Sequence, residues 1–555
     1  MTSPTSSQKY LSTRGGSYGF SFEAAVLKGL ASDNGLFIPE AIPTPQENWQ
    51  EDWKDLSFQD LAYNVLSLYI SRSEIPAKDL RELVTRSYST FRHDEITPLN
   101  TIVPEANLHV LELFHGPTFA FKDVALQFVG NLFEYFLVRK NKDAGGEGGK
   151  KRHHLTVIGA TSGDTGSAAI YGLRGKKDVS VFILHPKGRV SPIQEAQMTT
   201  VLDKNVHNLS VVGTFDDCQD IVKALFSHPE LSKSHNLGAV NSINWARILA
   251  QIVYYFHSYF TLLRRLPEGS TPIVRYVVPT GNFGDVLAGY YAKKMGLPID
   301  KLVIATNEND ILDRFFRTSR YEKRPVAPEE AEGGITADGT KAHESGVKET
   351  LSPAMDILVS SNFERLLWYL AYENETDVAT NEDEKCALAG TVLNEWMTSL
   401  KNTGTTIVSE QVLATAKRDF TSERVSDTQI VETIRHIFTT PPSAPYILDP
   451  HSAVGVGASL RLIKASQAAG ESENVHHISL STAHPAKFNH AVDLALAGVS
   501  GGDEVGEYDF EKMVRPREFL GLEAREKRVR VVEKVDVEIV RQVIIEGLQE
   551  EGVGM

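Results

Sequence analysis

Only two cysteines, Cys218 and Cys386, occur in the 555 residues, and neither has a second cysteine at redox or metal-ligand spacing. That scarcity argues against a disulfide framework or a cysteine zinc site and makes a reducing cytoplasm the simplest compartment. Positive charge is also in deficit: 57 Lys and Arg stand against 72 Asp and Glu, a formal net charge of −15. A nucleic acid or an anionic membrane would be repelled by that balance, although a local basic pocket is still allowed. No apolar run approaches the ~20 residues of a membrane-spanning helix. The polar stretch Met1 to Gln8 has neither the apolar core of a secretory signal nor the arginine-rich pattern of a mitochondrial one. Internal repeats are absent. The histidine pairs His153-His154 and His476-His477 point to opposite faces of a strand, so they read as surface or strand-end residues rather than metal ligands, and no metal site is expected.

What is present is a chain with 41% hydrophobic residues, enough for two or three domains. Residues 1–100 read as helices joined by polar turns, a separate amino-terminal lobe. Beyond them apolar strand candidates alternate with helical stretches, the signature of α/β architecture with parallel sheets. The catalytic region is expected over 101–555 as two α/β lobes, the smaller about 150–265 and the larger from the remainder, with an insertion about 316–440. The Gly-rich 143–149 and the unpatterned 325–349 read as mobile surface loops. Residues 353–440 read as mostly helical, with Asn362 to Leu370 the clearest amphipathic run.

The best functional clue is Lys122, in His115-Gly-Pro-Thr-Phe-Ala-Phe-Lys122 followed by Asp123. Phe119, Phe121 and Val124 to Phe128 flank it, so the ammonium is desolvated and its pKa lowered, as a Schiff-base lysine or a lysine base requires. Taken alone, the segment also fits a helix start whose lysine snorkels to water.

Three strand-to-helix turns supply context. Leu155 to Ile158 leads into Gly159-Ala-Thr-Ser-Gly-Asp-Thr-Gly166 and a helix, giving small residues that let backbone amides approach an anion. Neither a P-loop lysine nor a Gly-x-Gly-x-x-Gly pattern is present, so a nucleotide loop is excluded. Ile273 to Val278 leads into Pro279-Thr-Gly-Asn-Phe-Gly284, then Asp285 and a helix. Ile478 to Ser481 leads into Thr482-Ala-His-Pro-Ala-Lys-Phe488. Such turns lie at the carboxyl ends of strands, where open α/β sheets bind ligands. Three anion-ready loops and one desolvated lysine describe a pocket for pyridoxal 5'-phosphate.

These motifs, together with Lys9 to Gly15, Asp33 to Pro39, Ser191 to Met198, Asn241 to Arg247, Ala305 to Asp310 and Asp449 to Gly455, run in an order that resembles the threonine synthase family over nearly the whole length. The likeness is greatest to its long fungal form, of the fold-type-II, tryptophan synthase β-like class. The resemblance implies two parallel-sheet lobes plus an amino-terminal helical domain, with Lys122 as the Schiff-base lysine and acid-base group. It makes Gly281, Asn282, Phe283, Gly284 and Asp285 the cofactor-phosphate loop, with Thr482 at the pyridine nitrogen. Thr161, Ser162, Asp164 and Thr165 belong to the loop that grips the substrate carboxylate; many relatives carry Asn where Asp164 stands. Asn241, Ser242 and Arg247 match a second anion site for a phosphorylated substrate, O-phospho-L-homoserine. Arg14 is a further candidate there.

The implied reaction converts O-phospho-L-homoserine and water to L-threonine and phosphate in a cytoplasmic monomer or homodimer, with closure of one lobe over the site. The competing readings are a related threonine or serine dehydratase, a phospho-homoserine phospho-lyase, or a non-catalytic homologue. The second anion site separates the first from a dehydratase, whose substrate carries no phosphate. Beside the motifs, His115 and His484 read as structural neighbours of the cofactor. Cys218, among acidic residues, reads as an unreactive thiol, and Glu523 to Arg530 as a solvated charge run.

Overall fold

A computed structural model describes residues 8–143, 152–228, 231, 235–323, 341–342, 346–440, 445–501 and 506–553. The loops read at 144–149 and over most of 325–349 lie outside these residues. Two sheets carry the architecture. The larger has six strands in the order Phe420–Arg424, Ile299–Thr306, Ile273–Pro279, Val475–Ser481, Leu108–Glu112 and Leu99–Val103. All neighbours are parallel except the last pair, which is antiparallel. The smaller has five strands, all parallel, in the order Arg530–Val532, Val206–Val211, Val179–Pro186, Leu155–Ala160 and Leu237–Gly238.

Parallel strands need helical crossovers on both faces, so their sequences are apolar on both sides. That rule corrects one sequence expectation. His476 and His477 lie at a strand end, as one of the two readings had it, but the strand is central and covered on both faces, so both are buried, at 3% and 1% exposure, rather than lying at the surface. His476 Nδ1 lies 3.0 Å from His109 Nε2 on the neighbouring strand. By contrast His153 is exposed and His154 half-buried.

Sheet membership also departs from the chain order assumed above. The smaller sheet takes its edge strand Arg530–Val532, and the helix Val537–Glu551 behind it, from the carboxyl terminus rather than only from 150–265. The helix Trp245–Arg265 packs instead on Lys122–Asp143, Phe58–Tyr69 and Gly284–Lys294. Among the described residues of 316–440, helices run Phe363–Asn374, Glu382–Thr403, Glu410–Asp419 and Asp427–Thr439, and the strand Phe420–Arg424 joins the larger sheet, so this stretch is integral to it.

The amino-terminal strand and helices share the same core. Tyr10 packs on Trp245, and Trp49 meets Phe256 and Phe260 edge-on at 5.4 and 5.9 Å. The helix Lys122–Asp143 crosses Asp164–Leu173 where two glycines meet. A Cβ on Gly130 would fall 1.9 Å from the Gly172 carbonyl oxygen, so only glycine permits this approach. The crossing joins the helix that starts at Lys122 to the helix behind the Thr161 loop.

Candidate active site

The carboxyl ends of four strands supply the site. Glu112 leads to the lysine loop, Ala160 to the Thr161 loop, Pro279 to the Gly281 loop and Ser481 to the Thr482 loop. Short backbone bridges fix the first and last against each other. Leu113 donates its amide to Ser481, Phe121 to Thr482 and His484 to Phe119, at 3.0, 2.8 and 3.1 Å. Lys122 and Thr482 are therefore held together by main chain.

Lys122 begins its helix fully enclosed, at 8% exposure, and no described acceptor hydrogen-bonds its Nζ. Burial lowers its pKa to about 8; the carboxylates of Asp164 and Asp123 oppose the fall, and the cations Lys487 and Arg247 add to it. The neighbouring Asp123 is turned inward on its own loop. It accepts from the Thr118 amide at 2.7 Å and the Thr118 hydroxyl at 2.8 Å, and burial raises its pKa to about 6. Phe119 in this loop has φ of 60°, a left-handed conformation that a bulky side chain avoids. Its ring is clamped by Arg92, His484 and Phe519.

The Gly281 loop has a matching feature: Phe283 sits at φ 64°, held by Phe363 at 5.1 Å. Strain of this kind costs about 1–3 kcal/mol and concentrates at ligand sites. The kink leads into the helix Gly284–Lys294, and the amides of Phe283, Gly284 and Asp285 find no acceptor among the described residues. Asn282 accepts from the Ser361 hydroxyl at 2.9 Å through Oδ1, which leaves its NH2 as a donor. Gly281 passes so close to Met355 that a Cβ would lie 3.1 Å from its Cα. Asp285 faces away: Tyr254 and Tyr255 donate to Oδ1, Oδ2 is buried without a partner, and burial raises the pKa to about 7. Asp285 thus braces the helix start, while free amides and the helix dipole favour an anion there.

Arg247 is buried at 4% exposure with no carboxylate partner among the described residues. One nitrogen donates to the Val240 carbonyl at 3.1 Å, and Nε has no partner. Burial lowers its pKa to about 10, so the guanidinium remains charged at neutral pH. An uncompensated buried cation fits an anionic ligand. Ser242 lies 3.2 Å from the Ser361 hydroxyl, which joins it through Ser361 to Asn282. Asn241 is exposed and does not cap the following helix; Asn244 does, accepting from Ala246. Arg14 is not available, because it forms a two-pronged ion pair with Glu364 at 2.8 and 3.0 Å.

The fourth loop is brought in by the smaller lobe. Thr161 spends its hydroxyl on the turn, donating to Gly163 and accepting from the amides of Gly163 and Gly166. Ser162 is exposed and Thr165 half-buried, leaving both hydroxyls available. Asp164 is buried, ion-paired with Lys487 at 2.6 Å and hydrogen-bonded by Gln194 at 2.7 Å. Although burial favours its neutral form, Lys487, Lys122 and these bonds hold it far below the usual carboxylate range. A paired anion would repel a substrate carboxylate, so that contact is left to the loop's amides and hydroxyls. His115 pairs with Glu112 at 2.7 Å, and His484 is a half-buried capping residue whose side chain accepts from the Ala486 amide. Burial pushes the Cys218 thiol up to about 12, which makes it inert.

Sequence reasoning passed over Lys487, Ser361 and Asn362. The last two start the helix Phe363–Asn374, and Asn362 donates to the carbonyls of Asn282 and Ser242 at 3.0 and 3.2 Å. Paired small polar residues before an amphipathic run were the only sign of them.

These residues fit a pyridoxal phosphate group: a desolvated lysine without an acceptor, a row of free amides, and a hydroxyl at Thr482. Comparison with known proteins agrees. Residues 9–88 match the family model for the threonine synthase N terminus, 93–356 that for pyridoxal-phosphate dependent enzymes, and 452–544 that for the threonine synthase C-terminal region. Threonine synthase of Schizosaccharomyces pombe is 56% identical over 97% of this chain and 98% of its own. That of Saccharomyces cerevisiae is 55% identical over 98% and 99%. The crystal structure of yeast threonine synthase superposes with a TM-score of 0.87 at 55% identity, covering 99% of this chain and 100% of that one. The pyridoxal-phosphate-bound threonine synthase of Brucella melitensis gives 0.80 at 37% identity, covering 98% and 99%. The chain belongs to the threonine synthase family of pyridoxal-phosphate-dependent enzymes.

Proposed function

We propose that this site converts O-phospho-L-homoserine and water to L-threonine and phosphate. The observation that carries the reading is Arg247, a buried guanidinium with no carboxylate partner among the described residues, on the helix that packs against Gly284–Lys294, the helix that follows the Gly281 loop. It supplies a second anion site beside the first, which a substrate with its own phosphate needs and a dehydratase substrate does not.

Pyridoxal phosphate, when bound, supplies the aldehyde that captures the substrate amine and the ring that delocalises charge from its α-carbon. Lys122 carries the group, with the amides of Phe283, Gly284 and Asp285 and the Asn282 side chain at its phosphate and the Thr482 hydroxyl at its ring nitrogen. Ser162, Thr165 and their amides take the substrate carboxylate, and Arg247 with Asn241 and Ser242 takes the leaving phosphate. Lys122 removes the α-proton, for which a pKa near 8 leaves the free amine well populated. Loss of a β-proton lets phosphate depart from the γ-carbon into the grip of Arg247. Protons return at the γ- and α-carbons, and water adds at the β-carbon. Water that enters too early gives the 2-oxo acid, so closure of the smaller lobe over the larger serves selectivity. The acidic surface, the two buried thiols and the absence among described residues of a helix fit to cross a membrane favour a cytoplasmic enzyme.

The decisive assay incubates the purified protein with O-phospho-L-homoserine and identifies both products. Equimolar phosphate and L-threonine are expected, and Lys122→Ala is expected to abolish both, together with the protein's visible absorption band. Release of 2-oxobutanoate instead would favour the lyase reading, and turnover by the Lys122→Ala variant would refute the assignment.

A further inference from the structure

Lys487 ends the short turn Pro485–Lys487 that follows the larger-sheet strand Val475–Ser481, and its side chain is completely buried. Its Nζ forms the 2.6 Å ion pair with Asp164 and also donates to the Thr118 carbonyl at 2.8 Å. Asp164 opens the helix behind the smaller lobe's Thr161 loop, whereas Thr118 lies in the loop that delivers Lys122. One cation therefore ties a loop of each lobe to the other. The smaller-lobe helix Pro192–Thr199 reinforces both ends: Gln194 donates to the same Asp164 oxygen at 2.7 Å, and Gln197 to the same Thr118 carbonyl at 3.1 Å.

The charged groups around this bridge are few. Asp164 faces Lys487 and Lys122; Lys122 also faces Lys487 itself, a like charge, with Arg247 and Asp123; Lys487 also faces Asp123 and His484. Asp123 is occupied by Thr118, so Asp164 is the carboxylate of the set that is bound in an ion pair. In a buried pair, removing one partner leaves an uncompensated charge that burial then drives toward neutrality.

We propose that Lys487 is a positioning residue for the reaction: through Asp164 and the Thr118 carbonyl it holds the substrate loop and the lysine loop in register, and it keeps Asp164 ionised beside the Lys122 nitrogen. The inference rests on the reading of Lys122 as the cofactor-bearing lysine. An anionic Asp164 favours positive charge on that nitrogen, and a protonated one does not.

The test compares the parent holoenzyme with Lys487→Met, Lys487→Arg, Asp164→Asn and the Lys487→Met/Asp164→Asn double variant. Two quantities are followed from about pH 5 to about pH 9: the visible absorption band, and kcat/KM for O-phospho-L-homoserine. Lys487→Met is expected to lower kcat/KM about tenfold to a hundredfold, as a displaced loop does. It should also introduce a new ionisation, that of Asp164, into both titrations. The double variant should lack that ionisation, and Lys487→Arg should restore the parent's titration. Asp164→Asn alone should shift the band's apparent pKa downward, which keeps the test open if Lys487→Met does not fold. A Lys487→Met protein with the parent's titrations, or one that loses only thermal stability, overturns the inference. So does a new ionisation that survives in the double variant, or an unmoved band in Asp164→Asn. Because the absorption band does not depend on the substrate offered, spectra that respond as described in a protein releasing no phosphate would support this inference while refuting the proposed reaction.

Discussion

At the scale of single residues the site is defined by charges without partners. Among the described residues no anion is bonded to the buried cations Arg247 and Lys122, and burial lowers the pKa of both. Such cations cost stability until a ligand compensates them. Arg247→Ala is therefore expected to raise the KM for O-phospho-L-homoserine by about tenfold or more, as loss of a charged hydrogen-bond partner does, while the cofactor's absorption band persists. Unchanged steady-state kinetics would remove Arg247 from the site. Away from the site, His477 is buried with both ring nitrogens unpartnered, and burial followed by the charge of Arg275 lowers its pKa from 6.5 to about 4. In the unfolded chain it takes up a proton below about pH 6.5, in the folded chain only near pH 4, so its contribution to stability is present above 6.5 and lost as pH falls through that window. His477→Leu removes the loss. The variant's stability relative to the parent should improve by about 2 kcal/mol between about pH 7.5 and about pH 5, at roughly 1.4 kcal/mol per pH unit below 6.5. Urea midpoints at the two pH values measure it, and an equal difference at both would contradict the assignment of a neutral buried imidazole.

Elements place these residues, and here the sequence was legible to unequal depth. The strand-turn-helix units at Leu155, Ile273 and Ile478 carry apolar runs followed by small residues, so their existence and their shared end of the sheets could be read directly. Lys122 was readable because apolar neighbours on both sides of a lysine signal desolvation. Lys487 was not: the segment Pro485 to Phe488 looks like any helix start, and the groups that hold its side chain, Asp164 of the other lobe and the Thr118 carbonyl, are remote in sequence. Asp164 was legible as part of a loop but not as half of an ion pair, for the same reason. His476 and His477 do stand at the start of a strand, but not at the surface, because a pair of adjacent histidines does not tell a central strand from an edge. Gly130 and Gly172 gave no signal either, since a glycine inside a helix reads only as a weak spot. Yet their contact sets the distance between the lysine helix and the helix behind the Thr161 loop. Gly130→Ala must push the helices apart by its Cβ, a change that costs about 1–3 kcal/mol when a packed interface is overfilled. A lower denaturation midpoint and a lower kcat are both expected, because Lys122 sits at the amino end of the displaced helix. A variant with the parent's stability would show that the crossing has slack.

At the scale of the whole molecule the chain returns to its smaller lobe only at the end. Val532 on the strand Arg530–Val532, and Val540, Ile544 and Leu548 on the helix Val537–Glu551, bury against Phe182, Leu184, Leu209 and Val211 of the smaller sheet. The main chain continues the ladder, with Val212 donating to Val532 at 2.9 Å, and Glu551 closes the helix onto His207 and Ser180 at 2.8 and 2.7 Å. Each of the four apolar side chains is worth about 1.5–3 kcal/mol on burial, and the strand covers an edge that otherwise invites pairing with other chains. None of these residues touches the site. Removing 528–555 should nevertheless abolish turnover, because the Thr161 loop and the Asp164 partner of Lys487 stand on the sheet that loses its cover. The expected readings are a soluble yield far below that of the full chain, aggregation on size-exclusion chromatography and no visible cofactor band, although Lys122, Arg247 and the Gly281 loop are all retained. A truncated protein that stays monodisperse, carries the band and keeps the parent's kcat would mean that the smaller sheet holds its shape without its last strand. The carboxyl terminus would then be an ornament to catalysis rather than part of its scaffold.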